Sequence, residues 1–154
     1  MREIETDWTG APRPSSTFQF ISSLVRYMSS KTILFAEDQI EFLAVNKLFL
    51  ERHGYRVVAA EDGEQAIQAA QECRPDLIVM DFSMPRLDGI RATAALKTDP
   101  ETRDIPVIML TAHSYGSVGR RAREAGCACF ISKPCDPKRV LSEVENLIGS
   151  AAYR

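Results

Sequence analysis

From residue 31 onward the chain alternates between two apolar patterns. Short runs with few polar positions (Thr32–Glu37, Arg56–Glu61, Leu77–Asp81, Pro106–Ala112 and Cys127–Ser132) are separated by stretches in which apolar residues recur every three or four positions. The short runs are rich in β-branched residues and predict buried strands, and the longer stretches predict helices. Asp38-x-x-Glu41 reads as a capping box ahead of Phe42, Val45, Leu48 and Phe49, with Gly54 closing that helix. Asp62 precedes a helix containing Ala66, Ile67, Ala70 and Cys73, which stops before Pro75. Asp88-Gly89 opens a helix over Ile90–Thr98, stopped by Pro100. A weaker pattern runs from about Tyr115 to Ala125. Gly116 and Gly119 interrupt it, at about 1 kcal/mol each relative to alanine, so this helix is expected to be soft. Asp136-Pro137 supplies an N-cap and a first-turn proline for a last helix. Its inner face is Val140, Leu141, Val144, Leu147 and Ile148, and Gly149 ends it.

Strands that are apolar throughout are buried on both faces, which predicts a parallel sheet with helices on either side. The result is an α/β, doubly wound (βα)5 fold with strand order 2-1-3-4-5. Residues 1–30 differ from the rest, with Pro12, Pro14 and serines at 15, 16, 22, 23, 29 and 30. An apolar patch from Phe18 to Met28 has the spacing for one or two turns of amphipathic helix; the alternatives are a flexible tail, or a natural start at Met28. The expected organisation is a flexible or partly helical extension over 1–30, one domain over 31–149 and a short tail over 150–154.

With 154 residues, 45% of them hydrophobic, the chain can bury a core without disulfide staples. A net charge of −2 gives no reason to expect binding to nucleic acid or to an acidic membrane surface. No apolar run reaches the ~18 residues of a membrane span, and the acidic start Met1–Asp7 is unlike a signal peptide. A cytoplasmic location follows as the expectation. Cys73, Cys127, Cys129 and Cys135 lack zinc-site spacing and read as reduced thiols.

In a doubly wound sheet the functional site lies at the carboxyl ends of the strands, beside the point where strand order reverses. Strand 1 ends in Glu37-Asp38, strand 3 in Asp81 and strand 4 in Thr111, and strand 5 leads into Lys133. Three carboxylates, a hydroxyl and an ammonium therefore converge on one rim. Carboxylates gathered together repel, and a divalent cation relieves the conflict; oxygen-only donors favour Mg²⁺. A cation with open positions can take a phosphoryl oxygen, Lys133 can neutralise a second and Thr111 can donate to a third. One carboxylate is left as the nucleophile for an acyl phosphate.

The runs ILFAED, DLIVMDFSMPRLDG, VIMLTA and FISKP resemble, in order, the signature segments of response-regulator receiver domains. The resemblance covers residues 31–149 and implies the flavodoxin-like (βα)5 fold. It implies that Asp81 is the phosphoacceptor and that Glu37, Asp38, Asp81 and the Ser83 backbone carbonyl take part in Mg²⁺ binding. It also implies that Thr111 and Lys133 hold the phosphoryl group and that Phe130 is the switch aromatic. The Lys133-Pro134 bond is expected to be cis, and Ser83 and His113 fill the two variable positions that tune acyl-phosphate lifetime. The implied partners are a histidine kinase or histidine phosphotransfer protein and a downstream protein target. That target would meet the face built from the fourth helix after residue 31, the fifth strand and the last helix; a homodimer through the same face stays open. No domain-sized segment follows Gly149, so the expected output is binding to another protein or relay to a histidine elsewhere.

Taken singly, these residues have plainer explanations. Capping alone accounts for Asp38, a turn for Asp88-Gly89, a solvated helix face for Arg120, Arg121 and Arg123, and core packing for Phe130. An Asp-nucleophile phosphatase is disfavoured because such enzymes usually carry Asp-x-Asp on the first strand; no turnover of a separate substrate is expected. A receiver-like interaction module that works without phosphorylation is the remaining alternative.

Overall fold

The computed structural model describes residues 15–112 and 116–151. The chain divides into two units, 1–30 and 31–154. In the first, helix α1 spans Ser16–Ser29, longer than the one or two turns expected, and the Ser15 hydroxyl accepts the Phe18 N–H at 3.3 Å near its start.

The second unit runs β1 (Thr32–Ala36), α2 (Ile40–Arg52), β2 (Arg56–Ala60), α3 (Gly63–Cys73), β3 (Leu77–Asp81), α4 (Gly89–Thr98), β4 (Val107–Thr111), α5 (Ser117–Ala125), β5 (Cys129–Ser132) and α6 (Pro137–Ile148). The five strands are parallel in the order β2-β1-β3-β4-β5, as the apolar runs predict. Alternation along each strand sends side chains to opposite faces. Ile33 and Phe35 of β1 join Leu43, Leu50, Val140, Leu141 and Val144 on the α2–α6 side. Leu34 and Ala36 join Ala66, Ala70, Ile90, Leu96 and Ala122 on the α3–α4–α5 side. Each fully buried Leu, Ile or Phe stabilises by about 1.5–3 kcal/mol, so the two clusters fix the sheet's position and thereby its rim.

Four local expectations are corrected. Gln39, not Asp38, is the N-cap of α2, and it makes no side-chain capping bond. The inner face of α2 is Leu43, Asn46 and Leu50, while Val45 and Leu48 are exposed. Gly116 lies outside α5 as its N-cap with φ +86°, so only Gly119 interrupts that helix. On α6, Val140, Leu141 and Val144 are buried as expected, but Leu147 is exposed. Asp62, Asp88 and Asp136 cap their helices through their side chains, accepting from Gln65, Arg91 and Lys138 N–H. Among the described residues no helix is long and apolar enough to cross a membrane.

Candidate functional site

The sheet order reverses direction beside β1 and β3, and the carboxyl ends of these two strands carry the acidic residues. Glu37 follows β1, its N–H donating to the Ala60 carbonyl at 2.9 Å, and its side chain is fully buried. Asp38, one residue on, is exposed. Asp81 is the last residue of β3, paired in register with Leu110 and 4% exposed. Thr111 ends β4 and is buried; its carbonyl accepts the Lys133 N–H at 2.8 Å, which sets the lysine just past β5. The Lys133–Pro134 peptide is cis.

Lys133 is the centre of the arrangement. Its Nζ lies 2.6 Å from Glu37 Oε2 and 2.9 Å from Asp81 Oδ1, and 4.6 Å from the centroid of the Phe42 ring. The second oxygen of Glu37, Oε1, accepts the Gln39 N–H at 3.0 Å. Burial raises the carboxyl pKa of Asp81, only partly opposed by the Lys133 hydrogen bond and charge. Burial likewise raises Glu37, with Lys133 and the Gln39 N–H pulling the other way. For Lys133, desolvation alone would lower the pKa, but its hydrogen bonds and charge pairing with Asp81 and Glu37 outweigh it and hold the ammonium above its ordinary value.

Glu37, Asp38 and Asp81 each offer a carboxylate oxygen, all within 4.8 Å of one another. When ionised, these three carboxylates against one ammonium leave an excess of two negative charges. The donors are oxygens only, and two of the carboxylates are buried with their charged forms disfavoured. This donor set fits a hard divalent cation such as Mg²⁺. Asp38 and Asp81 are the direct candidates, because both oxygens of Glu37 already have partners.

Ser83 is exposed in the loop after β3, and its backbone N–H donates to the Asp81 carboxylate. Phe130 is half-buried on β5 with the Arg123 guanidinium 5.8 Å from its ring centroid. His113 lies outside the described residues. Sequence reasoning placed Phe42 in the core and did not place it under Lys133. It also missed the Arg86–Asp62 pair behind the Asp81 loop, with contacts of 2.9 and 2.8 Å. No periodicity marks Arg86; the only hint was its place in a short loop between Pro85 and Asp88-Gly89.

Comparison with known proteins identifies the family. Residues 33–145 match the family model described as the response regulator receiver domain. The polar-differentiation response regulator DivK of Brucella anthropi is 35% identical over 121 residues, covering 79% of this chain and 98% of that protein. Among solved structures, the receiver domain of sensor histidine kinase PA1611 from Pseudomonas aeruginosa superposes with a TM-score of 0.73 at 32% identity, covering 79% of this chain and 99% of that one. That structure holds a magnesium ion coordinated in its active site cleft. The signal receiver domain of a signal transduction histidine kinase from Syntrophus aciditrophicus gives a TM-score of 0.72 at 36% identity, covering 77% and 90%.

Proposed function

This chain belongs to the response regulator receiver domain family of two-component signalling, and from that premise we propose that it is a phosphorylation switch with Asp81 as its acceptor. The observation that carries the reading is the Asp81 carboxylate, buried at the end of a central strand with the Lys133 ammonium 2.9 Å away and two further carboxylates beside it.

A carboxylate oxygen of Asp81 attacks the phosphorus of a phosphohistidine on a kinase or phosphotransfer protein. The P–O bond forms as the P–N bond breaks, and the imidazole leaves with the electron pair. Asp38, Asp81 and the Ser83 carbonyl, together with Glu37, would hold a Mg²⁺ ion, which when bound would supply charge neutralisation for the phosphoryl oxygens. Lys133 already stands beside Asp81 and is the cation for a second phosphoryl oxygen. Thr111, at the end of the neighbouring strand, supplies a hydroxyl to a third. Drawing Thr111 toward the phosphoryl group lets Phe130 turn inward, shifting the population of the α5–β5–α6 face that a downstream protein reads. The exposed Ser83, with His113, tunes how long the acyl phosphate lasts. The protein acts in the cytoplasm, and it turns over no substrate other than its own phosphoryl group.

The test is intact mass after incubation with a small acyl phosphate donor, with and without Mg²⁺, on wild type and Asp81→Asn. The expected result is a gain of one phosphoryl group that requires both Mg²⁺ and Asp81. No gain from this donor or from a phosphohistidine protein would move the reading to a phosphate-independent interaction module.

A further inference from the structure

The loop from Phe82 to Asp88 joins β3 to α4 and carries Ser83 beside the acceptor. At its middle Arg86 has φ +66°. The Leu87 N–H donates to the Pro85 carbonyl at 2.8 Å, closing a three-residue turn about Arg86. With positive φ at the centre this is the rare, strained form of that turn, a conformation glycine adopts freely. An arginine there costs backbone strain, so its side chain is the feature to explain.

Its Nε donates to Oδ2 of Asp62 at 2.9 Å, and its Nη2 forms an ion pair with the same oxygen at 2.8 Å. Asp62 is 1% exposed, and its other oxygen accepts the Gln65 N–H at 2.8 Å, capping α3. One buried carboxylate thus fastens the loop to a helix start. The next residue gives independent support. A β-carbon on Gly63 would fall 2.3 Å from the Leu87 carbonyl oxygen, so the first turn of α3 is pressed directly onto the loop backbone. The far end is fixed in the same manner. A β-carbon on Gly89 would fall 2.2 Å from the Asp81 carbonyl oxygen, and the Gly89 N–H donates to the Phe82 carbonyl at 2.9 Å. The segment carrying the Ser83 amide and carbonyl is therefore pinned at its middle and at both ends.

We propose that Arg86 is a positioning residue: its grip on Asp62 keeps the Ser83 backbone in register with Asp81, and so sets the divalent-cation affinity and the rate of phosphoryl uptake at that site. The proposal rests on Asp81 being the phosphoacceptor. The plainer account is a surface ion pair, since the Arg86 side chain is 61% exposed and such pairs contribute little. The two accounts differ in what they move.

Mg²⁺ alone is titrated by calorimetry into wild type, Arg86→Gly, Arg86→Lys and Asp62→Asn, with thermal melts and mass-gain rates from a small acyl phosphate on the same samples. Arg86→Gly keeps the turn without its strain, so its melting temperature should stay near that of wild type. Its Mg²⁺ affinity should nonetheless fall about 10-fold, as for lost groups that orient metal ligands, and its phosphorylation should slow. Arg86→Lys, with one nitrogen in place of the fork, should fall between. Asp62→Asn retains a capping oxygen and should reproduce Arg86→Gly, and it carries the test if the glycine variant fails to fold. Mg²⁺ affinities of Arg86→Gly and Asp62→Asn within about twofold of wild type would overturn the proposal. A wild type that binds Mg²⁺ but gains no phosphoryl group from either the small acyl phosphate or a phosphohistidine protein would sink the acceptor reading, while the role of Arg86 would still be judged on the affinities.

Discussion

The two helices that follow the strands bearing Asp81 and Thr111 are built very differently. Helix α4 is capped by the Asp88 carboxylate, which accepts the Arg91 N–H at 2.9 Å, and it buries Gly89, Ile90, Ala92, Thr93 and Leu96. Helix α5 follows an N-cap, Gly116, with φ +86° and no side-chain capping bond. It buries only Gly119 and Ala122, while Arg120, Arg121, Arg123 and Glu124 lie exposed. Glycine and alanine bring little apolar area to a core, so α5 is held far less firmly than α4. Under the proposed switch, a charge arriving on Asp81 would therefore meet a firm wall on one side and a yielding one on the other, and such a local event would move one face and leave the fold intact.

The contrast breaks if the two helices cost the same to damage. Leu96→Ala empties a fully packed position in α4 and should lose about 3 kcal/mol in urea denaturation. Ala122→Gly, at the best-buried side chain of α5, should lose about 1 kcal/mol. Equal losses would mean that α5 is anchored by something other than its buried face. Next in size is local opening. Amides of α5 should exchange with deuterium about tenfold faster than those of α4 under native conditions, and equal protection would remove the soft wall.

Removing the charge between the two walls sharpens the picture. Burial raises the Asp81 pKa in the folded state, so folding favours the protonated acid. For a raised carboxyl, the contribution to stability is fully present below the unfolded value of about 3.9 and is lost as pH rises through the folded pKa. At neutral pH and without Mg²⁺, ionised Asp81 is thus a burden. Asp81→Asn should melt a few degrees above wild type at pH 7, with the gap closing toward pH 4. A variant that melts lower at pH 7 would show that the Lys133 contact outweighs the burial.

Much of this was legible in the residues because the patterns were redundant. Each strand was a run without polar interruption, and three helix starts carried an aspartate that does cap, so errors of a residue or two at strand ends left the rim in place. Helix α2 was misread for a definable reason. Phe42, Val45 and Phe49 form one apolar stripe, Leu43 and Leu50 another, and the inner stripe contains a polar residue, Asn46, whose Nδ2 bonds back to the Phe42 carbonyl at 2.9 Å. Periodicity penalises a stripe interrupted by asparagine and so favours the wrong one. Asp38 matched a capping pattern, but the Gln39 N–H is taken by Glu37, leaving the Asp38 carboxylate among the acidic cluster. The Arg86–Asp62 contact was beyond reach, since it joins two loops 24 residues apart through a backbone conformation that composition does not signal.

The smallest effect concerns the seam between α5 and β5. Arg123 holds its guanidinium 5.8 Å from the Phe130 centroid, so the soft helix touches the aromatic through a cation over a ring. At an exposed position such a contact is worth about 0.5–1 kcal/mol, and Arg123→Ala should destabilise the fold by no more than that. The informative readout is elsewhere. If the guanidinium holds the ring outward, its loss favours the inward position, and Phe130 ring signals in NMR should move toward those of the phosphorylated protein before any phosphoryl group is added. Arg123→Lys, which keeps a cation but not the flat guanidinium, should shift them less. Ring signals identical in wild type and Arg123→Ala would show that α5 yields without consulting Phe130, and that the softness of the helix and the turning of the ring are separate properties.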